Sequence, residues 1–319
     1  MSIDRVATAA QTALFLSQIQ SAGSALDKTQ QQIASGNNAD TYAGFGDKTQ
    51  VLTAMMSANA RNDSYTNATK QAVTQTDLQD TQLTSLSSLA QSLQKAVSDA
   101  VANNDATTLM TQAQSIFDQA SAILNSKDAN GDYIYSGGKT DVPPVTVNTL
   151  AGLQALPAVS GAFANGNLTK SVQVADGVTV NYGVTASNVA TGLMQALKDI
   201  ADFDASGPGN FNAASSLTSA QNNFLTGAIT QANGVSANLN ATTAANGYVY
   251  NRLTDAQDQQ ASTTTLYKGF ISDIQDTNMA QAATQLSLNQ TQLQAALQVT
   301  AGLHQLTLLN YLPVYGSGG

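Results

Sequence analysis

The sequence predicts a mainly α-helical chain that carries a small β-containing insertion, with coiled-coil-like helices at its two ends. Three observations predict it. Between about Ile274 and Leu312 apolar residues return at three- and four-residue steps, with Met279, Leu286 and Leu293 seven apart. Near the start, Ile19, Leu26 and Ile33 repeat that spacing. Between these ends, Val172, Val174, Val178 and Val180 alternate about the pair Asp176-Gly177, which reads as a β-hairpin.

The first helix takes residues 1–36. Val6, Ala9, Ala13 and Leu16 continue the face of Ile19, Leu26 and Ile33 upstream, and Gly36 supplies a stop, because glycine enters the left-handed conformation that ends a helix. A loop rich in Gly and aromatic residues, 37–46 with Tyr42 and Phe45, opens the first half of a helical domain, 37–126. There Leu86, Leu89, Leu93, Val97 and Val101 step by three and four, as do Leu109, Ile116, Ile123 and Leu124 farther on, with a break at Asn103-Asn104-Asp105.

Residues 127–208 form the β-containing insertion. Residues 128–132 are turn-like, Val145–Val147 and Ser171–Gly183 alternate as strands do, and a helix from about Ala186 to Phe203 closes on Ala205-Ser206-Gly207-Pro208-Gly209. Residues 209–273 read as the second half of the helical domain, a helical pattern from near Phe211 to the terminal run in which Gly227, Gly234 and Gly247 are the candidate points of interruption. The terminal helix, 274–319, carries the last stripe, with Ala283 and Leu297 beside Ala282, Ala296 and Leu303. Read as one helix from 274 to 312, it would be about 60 Å long at 1.5 Å per residue, far beyond the usual three turns. No Lys or Arg follows Lys268. Such a face is expected to be finished by other helices, including those of other copies. The expected assembly face is Ile19, Leu26, Ile33, Met279, Leu286, Leu293, Leu297 and Leu303. The matching stripes pair the chain's beginning with its end and leave the insertion at the far tip.

Composition narrows the functional classes. Charged residues make up 10% of the 319, and the net charge is -9. Nucleic acid and anionic membrane surfaces need clusters of Lys and Arg, and none is present. The chain has no cysteine, which removes disulfides and thiolate metal sites. Met1–Val6 holds Asp4 and Arg5 and no apolar segment behind a basic one, so it does not read as a cleaved secretory signal. No run of 18 apolar residues offers a membrane span.

Catalytic chemistry does not assemble either, and neither a cofactor nor an enzyme activity is expected. The one histidine, His304, lies on the terminal helix near Leu303 and Leu308 and reads as a face residue. Asp273 and Asp276 are three apart without further ligands, and read as solvated carboxylates or partners for an Arg. Gly137-Gly138-Lys139-Thr140 lacks the G-x-x-x-x-G-K spacing of a phosphate loop, having Tyr133 where the first glycine belongs, and Asp-Val-Pro-Pro follows where a helix should begin.

Four stretches carry a resemblance. Gln31-Gln32-Ile33-Ala34-Ser35-Gly36 is similar to an L-[SA]-[ST]-G element, although Asn37 and Asn38 replace the usual basic residue and no Asp-Asp-Pro follows. Ile274 to Ala283, with Asp276, Met279 and Ala280, is similar to an I-x-D-x-D-x-A run in which Asn278 replaces the second Asp; Leu286, Gln290, Leu293, Leu308, Leu309 and Asn310-Tyr311-Leu312 continue it. Tyr133 to Val145, with Gly137, Gly138, Thr140, Asp141, Pro143 and Pro144, resembles Y-[IL]-F-[AG]-G-x-x-T-D-x-P-P-[FY]. Gly247, Asn251, Arg252 and Leu253 resemble G-x-x-x-N-R-[LI]. Together these resemble the flagellin superfamily, and within it the hook-filament junction proteins.

The resemblance implies a secreted structural protein of motility: an adaptor ring between hook and filament, with terminal helices bundled near the axis, a helical middle layer and a β-rich outer domain. It implies extracellular localisation in the bacterial flagellum, with type III export of a chain unfolded at its ends. The implied partners are further copies of the chain, the preceding hook-associated protein, flagellin, an export chaperone and the export apparatus. A filament flagellin is the alternative, and a carbohydrate-binding or adhesive role for residues 146–204 is a further one.

Overall fold

The computed structural model describes residues 2–212 and 216–309, with side chains over 10–212 and 216–302. Its elements in chain order are α1 (Ser2–Ser35), a 3-10 turn (Tyr42–Lys48), α2 (Thr49–Asn103), α3 (Leu109–Leu124), α4 (Leu150–Gln154), a second 3-10 turn (Val159–Ala162), β1 (Lys170–Ala175), β2 (Val178–Tyr182), α5 (Ala186–Ala205), α6 (Ser219–Gln275) and α7 (Met279–Leu309). Two compact units result, residues 1–60 with 264–319 and residues 61–263, and α2 and α6 contribute to both.

The larger unit holds a continuous apolar core. Leu83, Leu86, Leu93 and Val97 of α2, Leu109, Ile116, Phe117 and Leu124 of α3, and Val189, Leu193, Met194, Leu197 and Ile200 of α5 pack in it, together with Leu225, Val235 and Leu239 of α6. These positions recur at three and four because each helix turns one stripe inward. Within this unit α2 and α6 run antiparallel, joined by polar links. Asn62 Nδ2 donates to the Gln260 carbonyl at 2.8 Å, Asn246 Nδ2 to the Thr76 carbonyl at 3.0 Å, and Ser87 Oγ to Asn240 Oδ1 at 2.7 Å.

Strands β1 and β2 pair antiparallel about the turn at Asp176-Gly177, where Gly177 has φ +73°, the left-handed conformation that such a turn favours in glycine. Val172, Val174 and Val180 point inward onto Ala72 and Leu253. Two hydrogen bonds fasten the hairpin: Gln260 Nε2 donates to the Val174 carbonyl at 2.7 Å, and Tyr65 Oη donates to Asp176 Oδ1 at 2.7 Å. That bond to a carboxylate raises the pKa of the exposed Tyr65 phenol.

Several expectations are corrected. Val145–Val147 forms no strand: Val145 makes an isolated bridge to Phe163, while the side-chain amide of Asn125 occupies both its N–H and its carbonyl, each at 2.9 Å. The strands among the described residues are those of the hairpin, and the rest of the described insertion is helix and turn. Gly227, Gly234 and Gly247 do not interrupt α6. Each costs a helix about 0.5–1 kcal/mol relative to alanine, and burial of the flanking Leu225, Ala228, Val235 and Leu239 holds the helix through them.

The terminal run is not one helix either. It breaks between Gln275 and Met279, where Asn278 Oδ1 accepts from the Gln281 N–H at 3.1 Å and caps α7. The other expected ends agree with the structure. Gly36, at φ +74°, follows the end of α1, and Asn104, at φ +56°, follows α2.

Candidate functional site

The unit of residues 1–60 and 264–319 buries very little. Among its described side chains only Leu52 and Ala282 are buried apolar residues. Eleven large apolar side chains of the same unit stand 39% to 58% exposed: Leu14, Leu16, Tyr42, Val51, Met56, Leu266, Phe270, Met279, Leu288, Leu297 and Val299. The larger unit, with a full core, exposes five by the same measure: Leu78, Val142, Leu168, Val178 and Tyr248. Single exposed apolar residues are ordinary on a protein surface; here eleven gather in the unit whose described side chains bury two.

Helices α1 and α7 meet antiparallel along a heptad seam. In α1 the covered positions are Phe15, Ile19, Ala22, Leu26, Thr29 and Ile33; in α7 they are Ala282, Leu286, Asn289, Leu293, Ala296 and Thr300. Both rows advance by alternating fours and threes, the spacing that keeps a seam on one side of two long helices. Two of these positions are polar and buried. Asn289 Nδ2 donates to Thr29 Oγ1 at 2.9 Å and to the Ala25 carbonyl at 3.1 Å, while its Oδ1 accepts from Gln285 Nε2 at 2.9 Å. Thr29 Oγ1 donates in turn to the Ala25 carbonyl at 2.9 Å. The layer is fully satisfied, and removing one member would leave a buried polar group unpaired at a cost of about 1–3 kcal/mol.

The end of this seam is closed by backbone. Thr277 N–H donates to the Gly36 carbonyl and Asn38 N–H to the Gln275 carbonyl, both at 2.7 Å. Asn38 Nδ2 also donates to the carbonyls of Ile274 and Asp276, each at 2.9 Å. Asn38 therefore occupies the gap that separates α6 from α7. Helix α7 itself contains no Asp, Glu, Lys or Arg, so its outer surface is amide, hydroxyl and apolar.

The residues expected on the assembly face fall into different environments. Ile19, Leu26, Ile33, Leu286 and Leu293 are half-buried in the seam between α1 and α7 of one chain. Met279 and Leu297 stand exposed. The side chains of Leu303 and His304 lie outside the described residues, as do Asn310, Tyr311 and Leu312. The motif residues divide between the units. Gly36, Asp276 and Ala280 lie at the junctions of α1 and α7, with Asp276 accepting from Ser272 Oγ. Gly137, at φ +58°, sits so close to Gly166 that an added Cβ would fall 2.0 Å from the Gly166 carbonyl oxygen. Gly138, Thr140, Asp141, Pro143 and Pro144 continue that turn, where the Thr140 and Pro144 carbonyls accept from Tyr133 at 3.1 Å and Ala164 at 2.9 Å. Asn251 and Arg252 are exposed on α6, with the Arg252 guanidinium 6.0 Å from the Tyr248 ring centre. Asp273 and Asp276 are both exposed, and among the described residues no three His, Asp or Glu gather as a metal site.

Thr29 and Asn289 were not singled out by sequence, and Asn38 stood out there only as a departure from the L-[SA]-[ST]-G pattern. A signal for two of them existed, since Thr29 and Asn289 are polar residues at apolar heptad positions.

Comparison with known proteins gives three findings. A family model described as the bacterial flagellin C-terminal helical region matches residues 226–312. The chain is 26% identical over 136 residues to flagellar hook-associated protein 3 of Salmonella typhimurium, a match that covers 41% of this chain and spans 39% of that protein. Two solved structures share the fold. A hook-associated protein from Vibrio parahaemolyticus superposes with TM-score 0.59 at 19% identity, covering 72% of this chain and 97% of that one. FlgL of Bacillus cereus superposes with TM-score 0.50 at 12% identity, covering 69% and 98%.

Proposed function

From a chain whose residues 226–312 carry the bacterial flagellin C-terminal helical region, we propose a structural subunit of the bacterial flagellum, acting as the adaptor that joins hook to filament. The observation that carries the reading is the unfinished terminal unit, with two buried apolar residues among its described side chains against eleven large exposed ones. Each α1–α7 pair completes its cover only against neighbouring copies. Contacts that run head to tail around an axis close into a ring or continue as a helix according to their geometry.

Affinity in this role comes from covering apolar surface and needs no chemistry. The uncharged α7 suits it, because copies stacked at close range do not repel one another. The proposed neighbours are the preceding hook-associated protein on one side and flagellin on the other, with an export chaperone and the type III apparatus delivering the chain outside the cell. The larger unit has its own core and its fastened hairpin. Similarity to a hook-associated protein supports the junction role. The flagellin region supports a second reading, a filament flagellin, in which the same contacts propagate without limit.

Imaging a strain that lacks the gene separates the two. The junction role predicts intact hooks with flagellin shed into the medium. Normal filaments on those hooks would refute any essential part in assembly, and purified protein that polymerises alone into long filaments would select the second reading.

A further inference from the structure

We propose that Asn38 is the latch of a two-state joint: it holds open a break that the link between α6 and α7 does not itself impose, and without it the two helices run on as one. The part this plays in the flagellum rests on the assembly reading, since the joint decides whether a copy presents α1 and α7 as a pair.

The break is an exchange of hydrogen bonds. In an unbroken helix the carbonyls of Ile274, Gln275 and Asp276 accept from the N–H groups four residues on, those of Asn278, Met279 and Ala280. Here Asn38 serves all three: its side-chain amide donates to Ile274 and Asp276, each at 2.9 Å, and its own N–H donates to Gln275 at 2.7 Å. The Thr277 N–H, which a helix would direct to Asp273, donates instead to the Gly36 carbonyl at 2.7 Å. Asn38 is anchored to α1 in turn, because Gln32 Nε2 donates to its carbonyl at 2.8 Å. Four backbone groups at the break thus trade a helical partner for one on the connector that follows α1.

The local chain does not forbid the helical choice. No glycine or proline lies between Gly269 and Gly302, and Asp276, Thr277 and Asn278 are only modestly poorer helix formers than alanine. The Asn278 cap gives α7 a start, yet the Gln281 N–H that it receives would find the Thr277 carbonyl in a continuous helix. The connector is therefore what stops α6. Latched, α7 lies along α1; unlatched, α7 continues α6 and leaves the seam residues of α1 uncovered. Asn38 is a positioning residue in this scheme.

Met279→Pro separates the two states. Met279 is the first residue of α7, where a helix leaves the N–H unused and accepts proline. In a continuous helix the same proline removes the donor to Gln275 and its ring clashes with that carbonyl. Nitroxide labels at Ser17→Cys and Ser287→Cys, exposed positions on α1 and α7 of a chain without native cysteine, report the pairing by pulsed electron resonance, with labelled full chain diluted into unlabelled chain at high micromolar concentration. The parent and Met279→Pro are expected to share one narrow distance distribution. Asn38→Ala is expected to add a second, displaced population, and Asn38→Ala combined with Met279→Pro to lose it again. An unchanged distribution in Asn38→Ala overturns the latch. So does a second population that proline leaves in place, which is plain loosening of the pair, and so does a Met279→Pro chain that differs from the parent. None of these outcomes bears on the assembly reading, which recovery of a Leu297→Asp chain at the parent's level in hook-filament structures would sink by itself.

Discussion

Leu297→Asp separates a residue that serves the folded monomer from one that serves the assembly. Leu297 is 51% exposed on the outer side of α7, so in the isolated chain its replacement gives up little packing. A surface change of this kind shifts stability by about 0.5 kcal/mol or less. In the proposed assembly the same position would be covered. Full burial of a leucine contributes about 2 kcal/mol, and roughly half of that remains to be gained at Leu297. An unpaired carboxylate enclosed in the contact adds about 3–5 kcal/mol of penalty, because α7 offers no Lys or Arg to meet it. The sum, about 4–6 kcal/mol per contact, corresponds to roughly three to four powers of ten in association. Sedimentation velocity across a concentration series, together with recovery of the variant in purified hook-filament structures, measures this directly. Thermal unfolding by circular dichroism supplies the control, with the variant's monomer melting as the parent does. Recovery at the parent's level would refute the idea that the outer side of α7 is covered.

Other perturbations test other parts of the molecule. Leu293→Asp places a carboxylate in the half-buried seam and should loosen α1 and α7 within the monomer while leaving the melting of the larger unit unchanged; amide exchange resolved by segment would show it. Leu193→Ala, at a fully buried core position, should destabilise the larger unit by about 2–5 kcal/mol in denaturant unfolding. Gln260→Leu removes the donor to Val174 and Thr69 and should raise amide exchange in β1 and β2 by at least tenfold, with α3 and α5 unaffected. Tyr135 is fully buried, its hydroxyl has no hydrogen-bond partner among the described residues, and burial raises its pKa well above the ordinary tyrosine value. The unfolded chain then ionises first, so this contribution to stability is intact below about pH 10 and falls by about 1.4 kcal/mol per pH unit above it until the folded group also titrates. Tyr135→Phe should flatten that alkaline decline.

What was legible in the sequence was periodic. The stripe through Ile19, Leu26 and Ile33, the stripe through Leu286 and Leu293, and the valines about Asp176-Gly177 each took the predicted structure, because periods of 3.5 and 2 residues are set by backbone geometry alone. The break at Asn278 and the missing strand at Val145 escaped notice because single side-chain hydrogen bonds decide them. Asn278 caps a helix that periodicity alone would run on, and Asn125 takes the backbone groups that a strand partner would need.

The candidate site was half legible for a related reason. Periodicity identifies which residues line a stripe and is silent on what covers it. Ile19 and Leu293 share the spacing expected of an assembly face and turn toward the chain's own partner helix, whereas Leu14, Leu288 and Val299, off the main stripe, stand open. Resemblance located the flanking landmarks Gly36, Asp276 and Ala280. The polar pair Thr29 and Asn289 needed the antiparallel alignment of α1 and α7, which brings together residues far apart in the chain.

Segment-resolved hydrogen exchange of the purified chain, followed from nanomolar to high micromolar concentration, bears most directly on the unfinished terminal unit. Amides of α1 and α7 are predicted to exchange quickly in the dilute monomer and to gain protection as copies associate, while α3 and α5 stay equally protected throughout. Protection of α1 and α7 equal to that of α5 at the lowest concentration, and unchanged as it rises, would contradict a terminal unit that depends on its neighbours.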